Sequence, residues 1–367
     1  MTRLGWWENT VTTHTDLRAA VLSALNRTID VDEDCGVAPA LSLVRVAGGV
    51  GKNLAATTAS LAGINLRTTP RGWELTTHPS LESRRTAGYL REVWDLSEEL
   101  MPGRVERLMV HVLGPWSMGA QIEYRGHAVM SDRPAFKDMA LTLGDALREY
   151  VRRVAAAIGV DVTVTMHEPQ LDAVMKGLPG PTQFDQLDPV DPEIVLGVWR
   201  RFAQQVDTSF VLTCEGALPP ALLGETPTSS VDSGLYASGC HRVELPLAQL
   251  GESTAVTDAI GALVGGALSA GETATAGGSS AGDLAIVRGI GVALPASALT
   301  ARTALEIEQA AHAMAKTVMR HWSQWTFPAD LLPHCVDITV PEGVRSAEHA
   351  SCAAAVARSA ASMLWNN

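Results

Sequence analysis

Short aliphatic runs alternate with long amphipathic segments along almost the whole chain. Eight runs read as strands: Arg3–Trp7, Ala40–Val46, Arg107–Leu113, Asp161–His167, Ser209–Cys214, Arg242–Leu247, Leu284–Ala293 and His334–Val340. Several are nearly continuous in apolar character, as in Leu108-Met109-Val110-His111-Val112-Leu113. A strand shows that pattern when both of its faces are covered, which is the situation in a parallel sheet flanked by helices.

The intervening segments carry helical periodicity. Asp132 is placed to cap a helix over Arg133–Ala157, with Phe136, Met139, Leu143, Leu147, Tyr150, Val151 and Val154 on one stripe. Asp191-Pro192 opens the next, with Val195, Val198, Trp199, Phe202 and Val206 on its apolar face. Thr300 is expected to cap a long helix through Trp325, and Ser346 an alanine-rich one ending near Leu364.

Strands and helices in this order predict an α/β protein, a (β/α)8 barrel formed as one domain over residues 1–367. Two segments depart from the alternation. Ile64–Thr77, around Pro70-Arg71-Gly72, reads as an added hairpin, and Ala270–Asp283, almost all Gly, Ala, Ser and Thr, as a flexible loop before the seventh strand.

The hydrophobic share of 46% and charged share of 19% provide for a large core. A net charge of -12 without a Lys/Arg cluster argues against nucleic acid as a partner. Met1–Thr10 lacks the apolar core of a signal peptide, and Thr257–Ala270 is too short and too rich in Gly and Ala to span a bilayer. Five scattered cysteines, an odd number, fit a reducing cytoplasm.

In a β/α barrel the chemistry gathers where strands end. That rule selects Trp6, Trp7 and Glu8; Gly114-Pro115-Trp116-Ser117; His167 and Glu168; Cys214 and Glu215; Glu244; and Glu342. Each has a structural alternative. His167-Glu168-Pro169 could be a turn into a helix, Cys214 a small buried hydrophobe, and Trp6-Trp7 core filling rather than a lid. Glu244 interrupts an apolar strand, where a carboxylate needs a partner. Cys240-His241 and His334-Cys335 fall at strand starts and read as structural; His349 and Cys352 read as helix residues. Gly48-Gly49-Val50-Gly51-Lys52 lacks the spacing and the Ser/Thr of a phosphate loop, and no Gly-x-Ser-x-Gly elbow is present.

Taken in order, several short motifs resemble cobalamin-independent methionine synthase, especially its short single-barrel actinobacterial members. They are Leu4-Gly5, Leu113-Gly114-Pro115, His167-Glu168-Pro169-Gln170-Leu171, Val211-Leu212-Thr213-Cys214, Val243-Glu244 and Pro341-Glu342-Gly343-Val344. The resemblance implies a catalytic barrel of the uroporphyrinogen decarboxylase/methionine synthase-like superfamily. It implies methyl transfer to a thiol such as homocysteine, as in methionine biosynthesis, with zinc making the thiolate. It would place Cys214, Glu244 and Glu342 among the metal ligands. It would give His167 and Glu168 catalytic positions, and Trp6, Gly114, Pro115 and Glu168 positions against the substrate.

The chain departs from the family's pattern in several places. Leu212 stands where the family has a zinc-binding histidine, and Glu342 aligns with its final cysteine only across a one-residue gap. Trp6 replaces a small serine, and His167 an aspartate. Zinc is therefore expected to be weak or absent. The expected partners are a small thiol or amino acid and a methyl donor, either a folate or a protein. The alternatives are a barrel that binds a ligand or a protein without turnover, and a zinc-independent decarboxylase-like reaction.

Overall fold

The computed structural model describes residues 5–29, 40–180, 186–223, 234–276 and 289–366, with side chains omitted for 266–276. The fold is mixed α/β. It divides into two compact units, one of Met1–Val44, Gly216–Ala237 and His241–Asn367, the other of Arg45–Glu215 and Ser238–Cys240.

In the first unit four parallel strands lie side by side in the order Cys240–Pro246, Gly289–Ala293, Val336–Arg345, Trp6–Thr12. The chain passes between them through the helices Leu17–Thr28, Thr254–Ala276 and Ala304–Gln324, and ends in Ala347–Trp365. Caps fix the helix starts. Asp16 accepts from the Ala19 amide at 2.8 Å, and Ser346 accepts from the His349 amide at 3.3 Å, as the sequence predicts for Ser346.

In the second unit the strands Arg107–Leu113, Asp161–His167 and Phe210–Thr213 are parallel neighbours. The first two have the predicted bounds, and the third is one residue shorter at each end. Arg133–Val154 is capped by Asp132, whose carboxylate accepts from the Ala135 amide at 3.1 Å, and Pro192–Val206 follows Asp191. The predicted hairpin is present as Leu66–Thr69 paired antiparallel with Gly72–Leu75. A second hairpin, Ile122–Tyr124 with His127–Ala128, completes a small four-stranded sheet. Arg125 and Gly126 turn it with φ of 54° and 85°, the positive values that a two-residue turn between twisted strands demands.

Several boundaries differ from expectation. The first strand runs from Trp6 to Thr12, so Trp6 and Trp7 open it instead of closing it. Its centre is polar in sequence, but Glu8 and Asn9 are buried against partners. Ala40–Val46 breaks into two dipeptide strands, Leu41–Ser42 and Arg45–Val46. The cap of the long helix is Thr303 rather than Thr300. Thr303 forms a capping box with Glu306, whereas the Thr300 hydroxyl donates to the Ser297 carbonyl at 2.7 Å. The last strand extends to Arg345, which puts Glu342 inside it. Ala270–Ala276 continues a helix rather than a loop, and the rest of that segment, with Leu284–Arg288 of the seventh strand, lies outside the described residues. Among the described residues, no helix is long and apolar enough to cross a membrane.

Candidate functional site

Backbone pairing brings three strand ends of the second unit level. Leu113 and Thr213 both register with His167. Just beyond, the Gly114 amide donates to the His167 carbonyl and the Glu168 amide to the Thr213 carbonyl, each at 2.8 Å. The predicted residues Gly114, Pro115, His167 and Glu168 thus share one edge, with Cys214 one residue past the third strand.

Glu168 locks this edge. Gly114 caps the helix Pro115–Gln121, and Pro115 fills its first turn. The Glu168 carboxylate sits over that helix start. It accepts from the Trp116 amide at 3.2 Å, the Ser117 amide at 2.7 Å and the indole of Trp199 at 3.0 Å. A negative group is favoured at a helix N-terminus, and the three donors favour it further. Burial opposes them and dominates: Glu168 has no exposure, and its carboxyl is pushed up to about 7. A Cβ on Gly114 would collide with this carboxylate, so glycine is required there for the close approach. Ser117 ties in the next turn by accepting from the Gln170 amide at 3.1 Å.

One residue earlier in phase lies an imidazole pair. His111 Nδ1 and His167 Nε2 are 2.9 Å apart, both rings buried. Side chains alternate across a strand, so His111, Thr165, His167 and Thr213 share one face of the three strands. Val110, Val112, Val164 and Met166 occupy the other. Desolvation, joined by the nearby charge of Arg45 and by His167, holds His111 well below the usual histidine range and therefore neutral. Its Nε2, and the Thr165 hydroxyl on the register-paired residue, have no hydrogen-bond partner among the described residues.

The first unit presents its own polar face. Arg242, Glu244, Gly289, Gly291, Asp337, Thr339 and Trp7 fall in one phase of the four strands. Arg242 and Asp337 form a fully buried ion pair at 2.7 Å, and Asp337 also accepts from the Gly5 amide at 2.8 Å. Trp7 lies over Gly291, where any Cβ would strike the ring. The Asn9 amide donates to Glu244 at 2.8 Å, across a register slip between Glu8 and Thr10. Glu8 has the opposite phase and is held by Arg27 of the helix Leu17–Thr28 through bonds of 2.6 to 3.2 Å.

The sequence-predicted residues are thus distributed unevenly. Gly114, Pro115, His167 and Glu168 come together. Trp6 shares the phase of Glu8 toward the helix, whereas Trp7 shares that of Glu244. Glu342 is half-buried within its strand. Among the described residues, no three His, Cys, Asp or Glu side chains gather closely enough to hold a metal ion. Sequence reasoning passed over His111, reading it as part of an apolar run. The available signal was a lone imidazole in a buried strand.

No protein-family profile matches the chain, and no curated protein does. Nineteen chains of solved structures match. One is a methyltransferase from Methanosarcina mazei, similar at a TM-score of 0.50 and 13% identity over 98% of this chain and 94% of that one. At that identity the likeness is one of fold.

Proposed function

We propose that the chain closes into a single eight-stranded β/α barrel that transfers a methyl group to a small thiol, of which homocysteine is the model. The observation that carries this reading is the buried His111–His167 pair at the C-terminal ends of parallel strands. The fold shared with a methyltransferase supports it. His167, whose Nε2 lies 2.9 Å from His111 Nδ1, serves as the general base that takes the thiol proton. The thiolate sulfur then bonds to the methyl carbon while the methyl–donor bond breaks, its electron pair leaving with the donor. The donor is a folate or a methyl-carrying protein. Glu168 acts as a positioning residue, because its oxygens are already bonded to protein donors. Leu212 stands where the resembled family has a zinc-binding histidine and Glu342 where it has a cysteine, so the donor set is weaker than that family's and no step is routed through metal.

The test is methionine formation from homocysteine, read by mass spectrometry, with methyltetrahydrofolate or a methyl-corrinoid protein as donor. His167→Ala should lower kcat/KM by about 100-fold or more. Dialysis against chelator should leave the rate unchanged, and stoichiometric zinc lost on Cys214→Ser would overturn the metal-free form of the proposal. Absence of product from both donors would sink the transferase reading. Homocysteine bound tightly without product would favour a binding barrel, the reading to which the fully engaged Glu168 carboxylate lends weight.

A further inference from the structure

His111 and Thr165 are register partners on adjacent strands, so their side chains stand side by side on the face that carries His167. Thr165 has no exposure and His111 is 9% exposed. Each keeps one polar atom, Oγ1 and Nε2, without a hydrogen-bond partner among the described residues. Leaving both unmet in the interior is costly, so two of them side by side point to an occupant. Their chemistry narrows what it is. In the tautomer in which His167 donates from Nε2 to His111 Nδ1, the neutral His111 ring carries its proton on Nε2, and a threonine hydroxyl donates freely. In that tautomer two donors stand on register-paired residues of one face, and the charge of Arg45 acts on the same imidazole. Donors beside a cation suit an oxygen anion.

We infer that His111 Nε2 and Thr165 Oγ1 form a subsite for the carboxylate of a small amino-acid substrate. In the proposed reaction, on which the choice of homocysteine rests, the carboxylate would anchor at this pair while the thiol reaches the His167 imidazole. His111 thereby does two things at once, holding the His167 tautomer with one nitrogen and the substrate with the other.

The competing occupant is a trapped water, which would satisfy the same two groups. Calorimetry on the full chain separates them. L-homocysteine should bind about tenfold or more tightly than 3-aminopropane-1-thiol, which lacks the carboxylate. Thr165→Val and His111→Phe should each erase most of that preference, and Thr165→Ser, which restores a hydroxyl, should regain it. A loss that is equal for the two thiols would overturn the inference. Nitrogen-15 spectra of the imidazoles supply a readout independent of turnover. Acetate should shift the His111 Nε2 resonance in the wild type and leave it unmoved in Thr165→Val. An acetate-insensitive resonance would mean water only. If acetate shifts the resonance while no thiol is ever methylated, the carboxylate subsite stands and the transferase reading alone falls.

Discussion

The polar faces of the two units solve the same problem differently. In the first, buried charge meets buried counter-charge or amide: Arg242 with Asp337, and Glu244 with Asn9. Trp7 fills the space above Gly291, although its indole nitrogen and the Thr339 hydroxyl have no hydrogen-bond partner among the described residues. In the second, the corresponding face holds two hydrogen-bonded imidazoles beside a threonine hydroxyl with no partner among the described residues. A matched ion pair serves rigidity, because breaking it strands a charge. An imidazole pair with a spare nitrogen keeps chemical capacity at the expense of stability, as functional sites commonly do.

The sharpest way to break this contrast is Asp337→Ala. It removes the negative charge that Arg242 meets at 2.7 Å, in a site where both side chains are at most 1% exposed. The bonds from Arg242 to the His334 and Cys335 carbonyls, at 2.9 and 3.3 Å, cannot replace the lost negative charge. The expected cost is about 3–5 kcal/mol in denaturant unfolding. A cost under about 1 kcal/mol would show that this face is not the rigid one. The neighbouring Cys335 thiol, pushed up to about 11 by burial, should resist alkylation while the chain stays folded.

Part of this contrast was legible in the sequence. Two strands of the second unit, Arg107–Leu113 and Asp161–His167, were legible to the residue, whereas the third was read one residue too long at each end. The first strand was misplaced. Glu8, Asn9 and Thr10 are polar, and the groups that satisfy two of them inside, Arg27 and Glu244, are distant in sequence. The candidate site was legible where strand ends met Gly, Pro and His, as at Gly114 and His167. The His111–His167 bond was not, since it depends on the register between two strands. A single-residue shift would have turned His111 to the other face.

Glu168 gives the next effect in size. Its carboxyl is raised by burial from 4.5 to about 7, so between those values the folded chain holds a proton that the unfolded chain has released. Stability from this group is complete below about pH 4.5 and is lost as pH rises toward 7. The decline amounts to at most about 3 kcal/mol. Glu168→Gln should flatten that slope, measured as the difference between variant and wild type in unfolding free energy across the window. A slope that persists unchanged would place the titrating group elsewhere.

The smallest effect is the most informative, because it compares two buried threonines of one unit, one in the helix Leu54–Leu61 and one in the strand Asp161–His167, that differ in what they bond. The Thr58 hydroxyl accepts from the Leu113 amide at 2.8 Å and is 1% exposed. The Thr165 hydroxyl is equally buried and unmatched among the described residues. Valine keeps the branched shape of threonine and removes only the hydroxyl. Thr58→Val strands a buried amide at the end of the Arg107–Leu113 strand and should cost about 1–3 kcal/mol. Thr165→Val removes an unmet polar group and should be neutral or stabilising by up to about 1 kcal/mol in the ligand-free protein. Adding L-homocysteine should reverse the order for Thr165, since the wild type then gains binding energy that the valine variant lacks. A Thr165→Val variant that loses as much stability as Thr58→Val would mean that the hydroxyl already has a partner, and that the second face is as fully matched as the first.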